Sequence, residues 1–138
     1  MKTAVDEIMA TSIISVRPDA TIRDVATMMA EAKVGATAVM ENGELQGMFS
    51  ERDLLNRVVA KKVDVDVTPV KEVMTSPVIT IDTGTTANDA LYIMTVKHIR
   101  HLPVVDKTQK PIGMLGIRDL LECVLNETID EFITKKVD

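Results

Sequence analysis

The chain is poor in the residues that most often carry chemistry. Its 138 residues include one cysteine, Cys123, and two histidines, His98 and His101. A lone cysteine excludes an intrachain disulfide, and its neighbours Leu120, Leu121, Val124 and Leu125 point to a buried, unreactive thiol. No metal-type Cys/His cluster, His-Glu-x-x-His, Gly-x-Ser-x-Gly or glycine-rich phosphate loop is present. These absences argue against an enzyme and against a metal site. Aromatics make up 2%, too few for a base-stacking platform, and the net charge of −5 opposes a polyanion partner. No apolar run approaches the ~20 residues that span a bilayer. The start, Met1 to Glu7, has no signal-peptide core. The expectation is a cytoplasmic protein with no membrane partner, no nucleic-acid partner and no required cofactor.

What is present suits a packed domain. Hydrophobic residues are 46% and charged residues 27%, a globular rather than a disordered balance. With so few aromatics, Val, Ile, Leu, Met and Ala must fill the core. The nine methionines suit irregular gaps.

The dominant feature is an internal duplication. Val5-Asp6-Glu7-Ile8-Met9 recurs as Val70-Lys71-Glu72-Val73-Met74, 65 residues on (70 − 5). The same offset pairs Ile14 with Ile79, Thr21 with Thr86, Asp24 with Asp89, Met29 with Met94 and Val39 with Val104. Past a turn the offset becomes 66 (113 − 47), pairing Gly47-Met48 with Gly113-Met114, and Arg52-Asp53-Leu54-Leu55 with Arg118-Asp119-Leu120-Leu121. One residue has been added in a turn, where length changes cost little.

Each copy reads as β-α-β-β-α, an α/β arrangement. Ile13 to Val16 and Val78 to Ile81 are short β-type runs. Helices follow, with Ile22, Val25, Ala26, Met28 and Met29 at helical spacing and Thr21 and Asp24 as N-cap and N3 acid, repeated by Thr86 and Asp89. A hairpin then turns at Asn42-Gly43, a type I′ signal. Its counterpart runs from His101 to Leu115 through a longer turn. Second helices span Glu51 to about Ala60 and Ile117 to about Leu125, and Thr128 to Lys136 suits a separate final helix. The expected organisation is a first repeat at 4–62, a linker at 63–69, a second repeat at 70–126 and a C-terminal helix or tail at 127–138. A unit of ~65 residues has a marginal core alone, so the two are expected to pack about a pseudo-twofold axis.

The segment Gly47-Met48-Phe49-Ser50-Glu51-Arg52-Asp53 leaves a strand and enters a helix. A helix start favours phosphate, and a first-turn carboxylate can accept from the two hydroxyls of a ribose. The same Ser50-x-x-Asp53 pattern is also an ordinary helix cap, as Thr21-x-x-Asp24 is. Pattern alone leaves both readings open.

The two copies, the Val-x-Glu-hydrophobic-Met starts, the Arg100-His101-Leu102-Pro103-Val104-Val105-Asp106 stretch and the Ser50-x-x-Asp53 segment together resemble a tandem CBS-domain pair, named for cystathionine β-synthase. The resemblance spans roughly residues 4–126, so the chain looks like a stand-alone pair. It implies a regulatory module whose ligand is AMP or another adenosine compound (ADP, ATP, NAD or S-adenosylmethionine), a homodimer, and a separate effector protein. By this resemblance Asp53 and Asp119 bind ribose. Ser50, Arg52, Arg118, Arg100 and His101 are phosphate candidates. Adenine would sit among Thr75, Ser76, Pro77, Val78, Ile79, Val34, Gly35 and Ala36 beside Asp53, and among Thr11, Ser12, Ile13 and Ile14 beside Asp119. Copy two carries Gly116 where copy one has Ser50, which favours the Asp53 site. The helices from Ser50 and Gly116, with Leu54, Leu55, Val58, Leu120, Leu121 and Val124, are candidate dimer contacts. The alternatives are a structural or oligomerisation module with vestigial sites and, disfavoured by charge, a nucleic-acid binder.

Overall fold

The computed structural model describes residues 3–137; Met1 and Lys2, part of the N-terminal reading, and Asp138 of the tail lie outside it. The chain forms two compact units, Ile13–Val78, and Met1–Ser12 with Ile79–Asp138. The duplication is therefore partitioned in space at a different phase from its period in sequence. Each leading segment, 5–9 or 70–74, belongs to the unit built from the other copy's helices and hairpin.

In the first of these units the order is β1 (Ser15–Val16), α1 (Ile22–Ala32), β2 (Ala36–Glu41), β3 (Glu44–Ser50) and α2 (Glu51–Asp53), which continues as π-helix over Leu54–Val59. β1 lies parallel to β2, with Ser15 opposite Ala38, and β2 runs antiparallel to β3. The second unit repeats this with β4 (Ile81–Asp82), α3 (Ala87–Lys97), β5 (His101–Val105), β6 (Pro111–Gly116) and α4 (Ile117–Val137). The leading strands are shorter than the apolar runs suggest. Ile14 precedes the ladder, although its carbonyl accepts from Ala38 N–H at 3.2 Å and from the Thr37 hydroxyl at 3.0 Å.

Local signals formed as the sequence dictates. Thr21 and Thr86 accept from Asp24 N–H and Asp89 N–H, both at 3.2 Å. Asn42 and Gly43 have φ of 53° and 78°, the pair of positive angles a type I′ turn requires. The longer second turn is organised by the Asp106 carboxylate, which accepts from the Thr108 hydroxyl at 2.7 Å and from the N–H groups of Thr108 and Lys110. These bonds, the Thr108 hydroxyl first, hold the Asp106 carboxyl below its ordinary value. The connector docks on the first turn of α1: Ile22 N–H donates to Thr68 and Arg23 N–H to Val65, both at 3.0 Å. Arg23 also pairs with Asp66 and holds that carboxyl low.

Two expectations are corrected. No separate helix starts at Thr128, because α4 runs unbroken from Ile117 to Val137. No glycine or proline interrupts it, and the Thr128 hydroxyl bonds back to the Val124 carbonyl at 2.9 Å instead of capping a new start. The stripe read as a dimer surface is also divided. Val58 and Leu120 are fully buried in their own units and Leu54 and Val124 are partly buried, whereas Leu55 and Leu121 are exposed together with Val59 and Leu125.

The cores share most positions, but not volume. Ile22, Val25 and Phe49 in one unit correspond to Ala87, Ala90 and Leu115 in the other. Leu102, where the first copy has the buried Thr37, restores part of the lost bulk.

What ties a leading segment to its unit is a methionine seated on a glycine. A Cβ at Gly47 would collide with Met74 Sδ, lie 2.8 Å from its Cγ and 3.0 Å from the Thr75 carbonyl oxygen. A Cβ at Gly113 would collide with Met9 Sδ and lie 2.7 Å from its Cγ. The backbone agrees: Thr75 N–H donates to Met48 at 2.7 Å and Met48 N–H to Thr75 at 3.0 Å, while Ala10 and Met114 exchange two bonds of 2.9 Å. Gly47→Ala and Gly113→Ala should each cost about 1–3 kcal/mol in urea unfolding. The loss should be larger at Gly47, where a backbone carbonyl cannot swing aside as a methionine can. Equal unfolding midpoints for both variants and wild type would show that the seat is not tight.

Candidate functional site

The Asp53 site is assembled where β3 passes into α2. The Gly35 carbonyl accepts from Glu51 N–H at 2.9 Å, so the start of β2 is fastened to the start of the helix. The Glu51 carboxylate lies over Gly35, 3.3 Å from where a Cβ would stand, a space that any side chain would contest. Ala36 sits opposite Ser50 in the ladder. Thr75 reaches the same place through its bridge to Met48. The expected neighbours Ser50, Gly35, Ala36 and Thr75 are thus brought to Asp53 by backbone pairing within one unit.

Asp53 is 8% exposed and its carboxylate is fully engaged. Oδ2 accepts from Ser50 N–H at 2.9 Å and from the Ser50 hydroxyl at 3.1 Å; Oδ1 accepts from the Thr75 hydroxyl at 3.1 Å and lies 3.5 Å from Arg57 Nε. Asp53 N–H in turn donates to Ser50 Oγ at 3.2 Å, which completes a capping box. The helix cap is formed, and the carboxylate that forms it is the same one that the resemblance makes the ribose candidate.

Arg57 escaped the sequence reading. It lies four residues after Asp53, in the π-helical stretch, and its Nη1 also donates to the Met74 carbonyl at 2.9 Å. The i, i+4 acid–base spacing was the available signal, and π-helical turns recur at functional sites.

The second copy is built differently. Ile117 N–H donates to the Arg100 carbonyl at 2.9 Å, matching Glu51 and Gly35. His101 lies opposite Gly116, its Cδ2 4.0 Å from where a Cβ would stand. Asp119, however, is exposed, as are Arg118, Arg100, Thr11 and Ser12. At the positions equivalent to Ser50, Arg57 and Thr75 the second unit has Gly116, Cys123 and Ala10. In the other unit Arg52, Ser76 and Pro77 are exposed, and Val34, Val78, Ile13 and Ile14 are half-buried. Ile79 belongs to the second unit. Among the described residues no group of three or more His, Cys, Asp or Glu is placed to hold a metal ion. Nor is any helix there long and apolar enough to cross a membrane.

The two acids should therefore differ in stability assays. Asp53→Ala removes the acceptor of the part-buried Ser50 and Thr75 bonds and breaks the helix cap, and should cost about 1–3 kcal/mol; Asp119→Ala should stay within about 1 kcal/mol. Matching losses in chemical denaturation would contradict the contrast in burial.

Comparison with known proteins gives a consistent result. The family model for the CBS domain matches residues 5–60 and 70–126. The CBS domain-containing protein YhcV of Bacillus subtilis (strain 168) is 35% identical over 117 residues, covering 85% of this chain and 82% of that protein. A solved CBS-domain protein of Burkholderia ambifaria MC40-6 superposes with a TM-score of 0.85 at 30% identity, covering 90% of this chain and 95% of that one. CBSX2, solved in complex with AMP, shares the fold with a TM-score of 0.77 at 24% identity, covering 91% and 98%. The two matched segments span most of the chain and coincide with the duplication, so the chain belongs to the CBS-domain family, with two CBS domains in tandem.

Proposed function

We propose that the chain is a cytoplasmic regulatory module that binds an adenosine-containing nucleotide, AMP or a close relative, and signals its presence to a partner protein without catalysing a reaction. The observation that carries this reading is the Asp53 carboxylate, nine-tenths buried at a helix start and already accepting hydroxyl hydrogen bonds. A ribose presents two adjacent hydroxyls to such an acceptor, and desolvation strengthens those bonds. Ser50 and the exposed Arg52 next to it are the phosphate candidates on this side, and Gly35, Ala36 and the 75–78 segment flank the acid where adenine would lie. Asp119, with Arg118, Arg100, His101, Thr11 and Ser12, is the corresponding candidate set in the second unit. CBS domains commonly bind adenosine ligands and regulate partners, and CBSX2, another protein of this fold, was solved in complex with AMP.

The chain is further proposed to act as a homodimer. The exposed Leu55 and Val59 and the exposed Leu121 and Leu125 lie on α2 with its continuation and on α4, and together they support that reading. A second reading, a structural module without ligand, is favoured by one observation: the oxygens of Asp53 are already satisfied by the chain's own donors.

Calorimetry with AMP, ATP, NAD and S-adenosylmethionine tests the choice. AMP or a relative should bind, and Asp53→Asn or Asp119→Asn should weaken it by about 10- to 100-fold, the worth of hydrogen bonds to a charged acceptor. Heat from no adenosine compound up to millimolar concentration would leave the structural module as the better account.

A further inference from the structure

We propose that Arg57 and Thr75 form an internal latch on Asp53, which a ribose must open before it can bind, and that opening the latch releases the segment from Met74 to Val78. This rests on the assignment of Asp53 as a ribose acceptor and adds how that site is regulated.

A carboxylate offers about four lone-pair positions. Around Asp53 three are taken by hydrogen bonds within the chain, two from Ser50 on Oδ2 and one from Thr75 on Oδ1, and the Arg57 guanidinium pairs with Oδ1 at 3.5 Å. The two pairs differ in kind. The Ser50 bonds belong to the helix cap three residues away, so giving them up unravels the start of α2. The Oδ1 contacts come from side chains nearer the solvent, outside the helix cap. Thr75 is exposed, and the Arg57 side chain is half exposed. A diol that needs an acceptor displaces the Oδ1 pair. Arg57 also donates to the Met74 carbonyl, so one side chain binds both the acid and the segment. Displacing it frees two ties on residues 74 and 75 together, leaving the Met48 bridge and the seat of Met74 on Gly47 to hold them.

The second unit serves as an internal control. Ser50, Arg57 and Thr75 are replaced together by Gly116, Cys123 and Ala10, none of which is a comparable donor. Asp119 is accordingly exposed where Asp53 is buried. One acid is latched and its counterpart is open. A ligand at Asp53 is therefore coupled to movement of a chain segment, whereas a ligand at Asp119 has no such tie to break. Coupling of this kind requires the ligand to prefer the opened arrangement, which displacement at Oδ1 supplies.

The test uses adenosine, which has the ribose but no phosphate for Arg57 to attract, and AMP for the exchange measurements. In calorimetry, Arg57→Met should tighten adenosine binding by about 3- to 10-fold, the worth of one exposed ion pair with a hydrogen bond. Thr75→Val should act in the same direction. Hydrogen exchange gives the second readout. AMP should speed amide exchange at residues 74–76 in wild type, and Arg57→Met should show the faster exchange before AMP is added. Asp53→Asn should abolish both responses.

If Arg57→Met and Thr75→Val weaken adenosine while Asp53→Asn also loses it, these residues hold the ligand and the latch is refuted with the ribose site intact. If Asp53→Asn binds adenosine and AMP as wild type does, the ribose assignment fails and takes the latch with it. Should Thr75→Val prove too unstable to measure, Arg57→Met alone decides. Unchanged exchange at 74–76 on saturation with AMP overturns the release.

Discussion

The docking of each Val-x-Glu-hydrophobic-Met segment onto the hairpin of the other copy is the constraint on which the rest of the structure depends. Met74 over Gly47 and the paired bonds between Met48 and Thr75 hold one segment; Met9 over Gly113 and the bonds between Ala10 and Met114 hold the other. Val70 and Val5, the first residues of the two motifs, are fully buried in the cores they complete. A three-stranded sheet with two helices leaves an opening at this edge, and a short apolar segment fills it. The glycines are needed because a thioether lies where their side chains would be.

That docking also creates the candidate site. Thr75 is 22 residues from Asp53 in sequence, yet its hydroxyl is 3.1 Å from the carboxylate because the bridge to Met48 delivers it there. The buried acid would be costly without donors, and the segment supplies one directly and a second through the Arg57 clasp on the Met74 carbonyl. In the second unit the same docking delivers Ala10, whose side chain has nothing to donate, and Asp119 remains at the surface. Shared backbone geometry with different side chains makes two similar units chemically unequal.

Much of the fold was legible before any coordinates. The two offsets of the duplication, the threonine caps at Thr21 and Thr86, and the positive φ angles at Asn42 and Gly43 each follow from local chemistry or from periodicity. Helix ends were less legible. Neither glycine nor proline marks the region between Leu125 and Thr128, and a threonine serves equally as a cap or as a back-bonded helix residue. The outward stripe was half right, since a period of 3.6 residues identifies an apolar face without saying which edge of it a core consumes. Val58 and Leu120 went inward, and Leu55 and Leu121 stayed out. Arg57 was missed because an acid and a base four residues apart are common on any helix, and only the Met74 carbonyl distinguishes this pair.

The sequence by itself determined that one β-α-β-β-α unit occurs twice, where its turns and caps lie, and that the acids at 53 and 119 are equivalent in position. It also showed the breaks in symmetry, with Ser50 against Gly116 and Gly35-Ala36 against Arg100-His101. Only the tertiary structure decided which copy's leading segment completes which sheet, because a repeat of 65 residues defines a period and not the point at which space divides it. The same choice decided that Asp53 is buried and satisfied by the chain's own donors while Asp119 is exposed. Burial and partners depend on which distant residues arrive at a position, and that is a property of packing.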